Sequence, residues 1–419
     1  MPAPLLAVVV ALAYLALAGL SWLLAYAPTD AWSVWLATSL TLGLLLVVPR
    51  PRWPAVLAGA AVGAAVFSLL LDTGRYLWAV GYAAIEVLSA FAGAWVAAQV
   101  RPLPLKLERP RELAALVVGA FVTALVGGVL AGAWTAATGG RDGFATFNVW
   151  SLSAFVGSLL VTPVVVSWAA FRAKRSGGLP MPQFVAGAIA CALFLGSLQL
   201  LFGSNMTGRS VGSIGMTLTY PPILFIALVA LAWGARGASL AGFAGALIAL
   251  FSTVRGGGPF AAVEGFLGEA NLEVQGYAAA VALTGLLIAV LASRERIAWR
   301  EARDWRTRFE AAIGAHRLIA YEWDPGTGAL AMTGDTAALV GVPPAGLATL
   351  ADWLSHVATE DRGAAETAFA YRAEGAAMPP VRYRVTRGDG ASVALVDEAQ
   401  AIRDHDGSLH RITGLVRPS

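Results

Sequence analysis

Between Leu5 and Ser293 the chain passes through ten apolar stretches, and the basic residues between them fall on alternate loops. Few folds accept such a chain, because every backbone polar group in hydrocarbon must be paired internally, and a helix achieves this segment by segment. The stretches run roughly over 5–26, 32–48, 53–71, 76–99, 113–137, 148–171, 184–203, 218–233, 238–254 and 276–293. Most suit a hydrocarbon core about 30 Å thick, and the shortest fall at the lower limit. The even-numbered gaps hold Arg50 and Arg52; Arg101, Lys106, Arg109 and Arg111; Arg172, Lys174 and Arg175; and Arg236. The odd-numbered gaps hold only Arg75, Arg141, Arg209 and Arg255. Cytoplasmic loops carry the basic excess, so both ends of this region are expected inside. The expected fold is a polytopic α-helical membrane bundle of about ten transmembrane helices, N-in and C-in.

Charge density divides the chain at the same point. Residues 1–293 hold 14 Lys or Arg and 9 Asp or Glu, whereas residues 294–419 hold 15 and 17, a density ordinary for a soluble segment. The net charge of +3 thus combines a basic membrane part with a slightly acidic tail. Loop orientation accounts for the basic part without invoking nucleic acid. The N-terminal stretch lacks a basic leader and is too long and uniformly apolar for a signal peptide, so it reads as the first span. The single cysteine, Cys191, lies mid-span, which excludes a disulfide framework and a cysteine-based metal site.

Trp53, Trp78, Trp95, Trp134, Trp168 and Trp233 lie near span ends, where indole anchors at the membrane interface. Gly59, Gly63, Gly119, Gly127, Gly128, Gly242 and Gly245 would let helices approach closely, which predicts a tight bundle. Glu86 stands alone in the middle of the fourth span. A carboxylate there must be protonated, paired or facing a wet cavity, so it is either a sensing group or a structural hydrogen-bonding partner. No second intramembrane carboxylate accompanies it, which weakens a proton-coupled transporter. Pro163 should kink the sixth span, Pro221 and Pro222 open the eighth, and Gln199 is expected to bond across helices. After Arg255, apolar Val263, Phe266, Leu267, Ala270 and Val274 recur at helical spacing beside Glu264, Glu269 and Glu273, predicting an interfacial amphipathic helix.

Past Ser293, Ala298, Ala302, Trp305, Phe309 and Ala312 follow alternating steps of four and three, the spacing of a short coiled-coil seam. A helix over 294–314 is therefore expected to link the bundle to the polar tail, and the seam suits a homodimer. The tail then alternates with period two. Two strands flank the turn Asp324-Pro325-Gly326, short helices occupy 335–374, and three strands close the tail, joined at Asp389-Gly390 and Asp406-Gly407. The tail is expected to be one α+β domain.

The segments YEWDPGTG, WL…TEDR, YRVTRGDG and IRDHDGSLHRITG resemble a PAS domain over roughly 315–416. Ala358-Thr359-Glu360-Asp361-Arg362 stands where that family often has His-Pro-Glu-Asp-Arg. The resemblance implies dimer contact and signal relay; some members bind a small molecule and others none, so no cofactor is assigned and a PAS-bound molecule stays open. Upstream, VWLATSLTLGLLLVVPRPRWP, IEVLSAF, WSLSAFVGSLLVTPVVVSW, WGARGA and GGGPFA, in that order, resemble the MASE1 integral membrane sensor domain over about 10–293. Trp35, Arg50, Trp53-Pro54, Glu86, Gly157, Pro163 and Gly258-Pro259-Phe260 match its pattern. Leu36, Ser39 and Ala154 depart from it where a Pro, a Gly and an Asp are common. The family is usually described with eight spans. Its domains precede histidine kinases and diguanylate cyclases or phosphodiesterases in bacteria.

No phosphoacceptor histidine box, kinase glycine motif, HExxH, P-loop or nucleophile elbow occurs in the sequence. Gly139-Gly140-Arg141-Asp142-Gly143-Phe144 only looks like a cyclase signature and lies in an outer loop. No catalytic residues and no metal ligands are expected. The expected organisation is a sensor bundle over 1–293, a linker helix over 294–314 and a PAS domain over 315–419. Its expected location is the bacterial inner membrane, with the PAS domain cytoplasmic and lipid around the bundle. Glu86 with Trp35 and Trp150 are the candidate ligand-binding residues. Two alternatives stand beside this one. The ending GLVRPS stops where a PAS domain would lead into another helix, so the chain could be the front part of a sensor histidine kinase or diguanylate cyclase. A PAS-regulated transporter is the third reading.

Overall fold

The computed structural model describes residues 2–26, 31–71, 76–139, 142–169, 179–203, 219–261, 265–316, 318–374, 379–388, 390–403 and 408–419. Several residues used above lie outside these: Arg75, Gly140, Arg141, Arg172, Lys174, Arg175, Arg209, Val263, Glu264, Asp389, Asp406 and Gly407. The chain divides into two compact units, Met1–Ile297 and Ala298–Ser419.

The first unit is built from helices α1 (Ala3–Leu23), α2 (Ala37–Val47), α3 (Trp53–Leu71), α4 (Tyr76–Val100), α5 (Pro110–Ala137), α6 (Gly143–Trp168) and α7 (Met181–Gly203). There follow α8 (Pro221–Val254), the short α9 (Gly258–Ala261) and α10 (Glu269–Ala315), which runs on past the end of the unit. Two-residue strands β1 (Ala25–Tyr26) and β2 (Ala31–Trp32) pair between α1 and α2. Eight helices among the described residues are long and apolar enough to cross a membrane, against the ten spans expected.

The difference is confined to two places. Residues 32–48 do not form a spanning helix. After β2 the backbone stays irregular, and helix begins only at Ala37, where it lasts 11 residues. Non-helical backbone is tolerated at that depth only when buried in protein, and Ser33, Val34, Trp35 and Leu36 are all buried. Polar groups from three helices close its hydrogen bonds. Trp35 N donates to Ser153 O on α6 (3.0 Å), Leu36 N donates to Ser21 Oγ on α1 (3.0 Å), and Ser33 O accepts from Gln275 Nε2 on α10 (2.6 Å).

The expected spans 218–233 and 238–254 merge into α8, which opens on Pro221 and Pro222 but leaves helical geometry at Gly234, at φ 65° and ψ −157°. A Cβ on Gly285 would lie 3.0 Å from Ile226 and 3.5 Å from Ala238. Twelve residues of straight helix would separate those two by about 18 Å, so α8 folds back on itself at Gly234, where only glycine is at ease.

Close glycine contacts fix the directions of the passages. Gly59 meets Val10 and Gly63 meets Tyr14, so α1 and α3 run parallel, and the segment between them must return. That return is the irregular segment with α2. It runs parallel to α6, since Gly157 meets Trp35 and Gly43 meets Val165. α7 runs parallel to the second half of α8, because Gly245 packs on Phe194 and Gly258 on Phe202. Among the described residues the unit therefore holds eight long helices, one of them folded back at Gly234, with the irregular segment and α2 packed between them. The protein is a multi-pass membrane protein.

Other expectations need correction. The last long helix starts at Glu269 and includes Ala270 and Val274 as buried residues, so among the described residues no separate interfacial helix forms there; Phe266 and Leu267 sit exposed before it. Trp53 is buried inside the bundle, where it packs edge-on to Phe91 at 5.9 Å, and so does not serve as a lipid-facing anchor. Gln199 is exposed on α7, away from any helix interface, and Pro163 sits inside a helix that continues unbroken to Trp168.

The second unit carries a five-stranded antiparallel sheet of β3 (Ile319–Trp323), β4 (Leu330–Gly334), β5 (Val381–Thr386), β6 (Ser392–Arg403) and β7 (Leu409–Pro418). Their order is β4-β3-β7-β6-β5. The helices α11 (Thr336–Val340), α12 (Leu350–Ser355) and α13 (Thr359–Ala373) lie in sequence between β4 and β5. This is the α+β arrangement expected of a PAS-like domain. Asp324 Oδ1 accepts from Gly326 N at 2.9 Å in the β3–β4 turn, and Thr349 with Asp352 forms a reciprocal cap on α12.

The Glu360-Asp361-Arg362 segment has a visible structural task. Arg362 Nη2 donates to Ser355 O (3.1 Å) at the end of α12, and Asp361 receives Arg384 N and Nε, both at 2.8 Å. The Arg384 side chain, then its backbone N–H, holds the Asp361 carboxyl down at about 2 from its ordinary 3.8. A depressed carboxylate stabilises the fold above its unfolded value, and that contribution disappears as pH falls through its folded value. Asp361→Ala should therefore melt at lower temperature than the unmodified chain at pH 5. The gap should close between about pH 4 and pH 2, and a gap that persists at pH 2 would rule the ion pair out as its cause.

Candidate functional site

The irregular second passage creates the most unusual site in the molecule. Because α2 starts inside the bundle, its N-terminus, with unpaired N–H groups and positive dipole end, is buried. Thr38, in its first turn, is fully enclosed and donates to Glu86 Oε2. Tyr14 Oη on α1 donates to the same oxygen at 2.8 Å. Glu86 is 1% exposed, its Oε1 has no hydrogen-bond partner, and among the described residues no cation pairs with it. The indole of Trp35 lies beside the carboxylate, but its Nε1 closes no hydrogen bond. Three passages thus converge on one carboxylate that is half satisfied.

Rings cover this carboxylate toward one end of the bundle. Trp35 packs edge-on against Trp32 (4.7 Å between centroids) and Tyr82 (6.1 Å), and lies 5.8 Å from Phe67. Tyr82 in turn meets Trp150 at 5.5 Å. Counting 1.5 Å per residue from the helix ends, Phe67, Tyr82 and Trp150 lie about 6–10 Å inside the bundle, and Glu86 about 15 Å inside. Trp32, Tyr82 and Trp150 are only half-buried, so the aromatic layer forms the boundary between that end and Glu86.

Of the three expected ligand-binding residues, Glu86 and Trp35 come together directly and Trp150 joins them through Tyr82. Tyr14, Thr38, Trp32, Phe67 and Tyr82 were not expected. One signal was available for Tyr14. Apart from Ser21 it is the only hydroxyl in α1, and both hydroxyls serve this region, Ser21 by capping Leu36 N.

The interior of the second unit is closed by its own side chains. Asp397 on β6 is fully buried and accepts from Tyr321 (2.9 Å), Tyr383 (2.9 Å) and Arg372 Nη1 (2.9 Å). Trp353 Nε1 donates to Tyr383 Oη at 3.1 Å. Burial, and then the charge on Asp397, pushes the Tyr321 phenol above its usual value, so it stays a donor. These groups fill the space between α12, α13 and the sheet with Phe369, Trp323 and Leu395. Among the described residues no group of three or more His, Cys, Asp or Glu is placed to hold a metal ion. The seam residues Ala298, Ala302, Trp305, Phe309 and Ala312 are all exposed on α10, Trp305 at 71%.

Compared with protein-family models, residues 4–296 match MASE1. A search of curated proteins finds no match. Among solved structures, the chain is similar to the N-terminal domain of a diguanylate cyclase with PAS/PAC sensor from Marinobacter aquaeolei. The identity is 21% over 24% of this chain and 94% of that one, with a TM-score of 0.23. It is also similar to a sensory box histidine kinase/response regulator from Burkholderia thailandensis E264, at 21% identity over 26% of this chain and 83% of that one, TM-score 0.23.

Proposed function

The chain belongs to the MASE1 family, and on that premise we propose that it is a signal-sensing protein of the bacterial inner membrane whose Glu86 site detects the signal. The observation that carries this reading is the half-satisfied carboxylate at the buried N-terminus of α2. A ligand that favours one packing of the irregular segment shifts the population toward it. The alternation of basic loops supports an N-in, C-in orientation, with the PAS-like unit on the cytoplasmic side.

The signal then leaves along α10. Its exposed seam of Ala298, Ala302, Trp305, Phe309 and Ala312 offers a second copy the narrow apolar face of a short coiled coil. The chain carries no catalytic module of its own in this reading, and a kinase or cyclase output module receives the signal. Glu86→Gln in a chimera with a reporter kinase is expected to move basal output by about fivefold or more, the lower end of ordinary coupling energies. The unmodified chimera should be a dimer by native mass spectrometry. Unchanged output in the variant would remove Glu86 from sensing, and a monomer would remove the seam from relay.

A further inference from the structure

We propose that the end of the bundle where α2, α3, α4 and α5 meet binds an anionic phospholipid. Arg50 and Lys106 would meet its phosphate, and Phe91 and Trp95 its acyl chains. The inference goes beyond the Glu86 reading and does not depend on it. Two observations carry it.

The first is a set of cations held in place without partners. The linker between α4 and α5 is fixed beneath the end of α2, where Leu105 N donates to Leu46 O at 3.1 Å. Leu105 and Leu107 are buried in the same core as Leu45 and Trp53, while Lys106 between them is exposed. The short turn Arg50–Arg52 leaves that same end of α2 and leads into α3. Arg50, Arg52, Lys106, Arg109 and Arg111 thus gather at one end of the bundle, all exposed, and among the described residues none of them forms an ion pair. The nearby acids do not neutralise them. Glu112 is buried, accepts from Glu108 N at 2.9 Å and lies 3.8 Å from Arg101, so its charge is spent inside. Glu108 remains as one exposed carboxylate beside five exposed cations.

The second is what those cations stand over. Phe91 and Trp95 stack at 6.0 Å on α4 and are 38% and 48% exposed. Trp95 precedes the end of α4 at Val100 by about 8 Å, the depth at which indole meets the membrane interface. The Arg50 guanidinium lies 5.7 Å from the centre of that indole, and Trp53 backs Phe91 edge-on at 5.9 Å. A cation is therefore fixed above an exposed pair of rings on the outer face of the bundle. Basic loops that only orient a chain in the membrane need no such placement. A phosphate with acyl chains below it matches both halves.

The combination selects the ligand. A soluble phosphate would use the cations and gain nothing from the rings. A zwitterionic lipid would bring another cation to five already present. An anionic phospholipid uses both halves, at roughly fivefold in binding for each basic residue near its headgroup.

The test is native mass spectrometry of the full chain from maltoside micelles, titrated with dioleoylphosphatidylglycerol or with dioleoylphosphatidylcholine, which has the same chains. The glycerol lipid should bind at least about tenfold more tightly. Combining Arg50→Gln, Lys106→Gln and Arg109→Gln should weaken it by about 100-fold. All three side chains are exposed, so the variant should elute and melt like the unmodified chain. The same loss of charge at exposed Arg303, Arg308 and Arg382 should leave binding unchanged. Glycerophosphoglycerol, the headgroup without its chains, should not displace the lipid at equal concentration. A second measurement locates the site. Brominated phosphatidylglycerol should quench tryptophan fluorescence more than brominated phosphatidylcholine, and Trp95→Phe should remove that difference. Equal binding of the two lipids, unchanged binding in the first triple variant or an equal loss in the second would each overturn the proposal. So would a quenching difference that survives Trp95→Phe. Displacement by the headgroup alone would make the ligand a soluble phosphate and overturn the lipid.

Discussion

Asp397→Ala is expected to unfold the C-terminal unit, with a loss of about 3–5 kcal/mol, because removing one partner of a buried ion pair leaves the other charge stranded. The side chains of Arg372 and Asp397 are 4% and 0% exposed, and the guanidinium spends its bonds on this one residue and its neighbour. Nη1 reaches Asp397 Oδ2 at 2.9 Å and Tyr321 Oη at 2.8 Å, and Nη2 reaches Asp397 O at 3.1 Å. Without the carboxylate, Tyr321 and Tyr383 lose their acceptor and Arg372 keeps a buried charge. Three groups are disturbed by one substitution. The far-UV melt of the full chain should lose the transition of the sheet, and limited proteolysis should digest residues after α10 at room temperature. The paired replacement Arg372→Met with Asp397→Leu separates charge from shape. It should be more stable than either single variant, since apolar residues of similar volume replace buried ion pairs with little loss. A double variant as unstable as Asp397→Ala would assign the effect to packing and the two unpaired phenols rather than to the stranded charge.

How far the sequence could be read depended on whether a feature is local or long-range. The second unit was legible almost residue by residue, because strands flanking Asp324-Pro325-Gly326 and alternating apolar residues depend on local chemistry. The network inside it was not. Arg372 and Asp397 are 25 residues apart on a helix and a strand, and in sequence each looks like any exposed charge. In the membrane unit, apolar runs located the helices but overcounted the spanning ones, ten expected against eight long enough among the described residues. Hydropathy records what a segment is dissolved in. It cannot distinguish a helix in lipid from extended chain buried by its neighbours, so 32–48 read as a helix. The same limit hid the fold-back at Gly234, whose glycine sits in a chain already rich in small residues. Glu86 was visible because a carboxylate in an apolar run has no ordinary reason to be there. Its partners were hidden because Tyr14 and Thr38 reach it from passages 72 and 48 residues away.

Gly157→Val is expected to be the most damaging small substitution in the bundle, since it strikes the one place where the irregular segment is held by backbone. A Cβ at Gly157 would press on the Trp35 carbonyl, with its carbon only 2.7 Å away, and lie 3.0 Å from Ser39 Oγ. A flexible side chain could turn aside, but here the obstacle is the main chain. That main chain is also pinned, because Trp35 N donates to Ser153 O one turn earlier on the same face of α6. Farther along, Thr162 Oγ1 donates to Ser39 O at 2.9 Å. The helix therefore grips the segment on both sides of the glycine, and added volume between the grips must break one of them. Overpacking of this kind costs about 1–3 kcal/mol even where side chains can adjust, and the effect here should lie at or beyond the upper end. Gly196→Val supplies the control, since nothing lies within 4 Å of a Cβ there. In detergent, Gly196→Val should elute and melt like the unmodified chain, whereas Gly157→Val should aggregate or melt well below it. Equal behaviour of the two variants would show that the segment yields easily. The packing of α6 on Trp35 would then not be what holds the carboxylate site in shape.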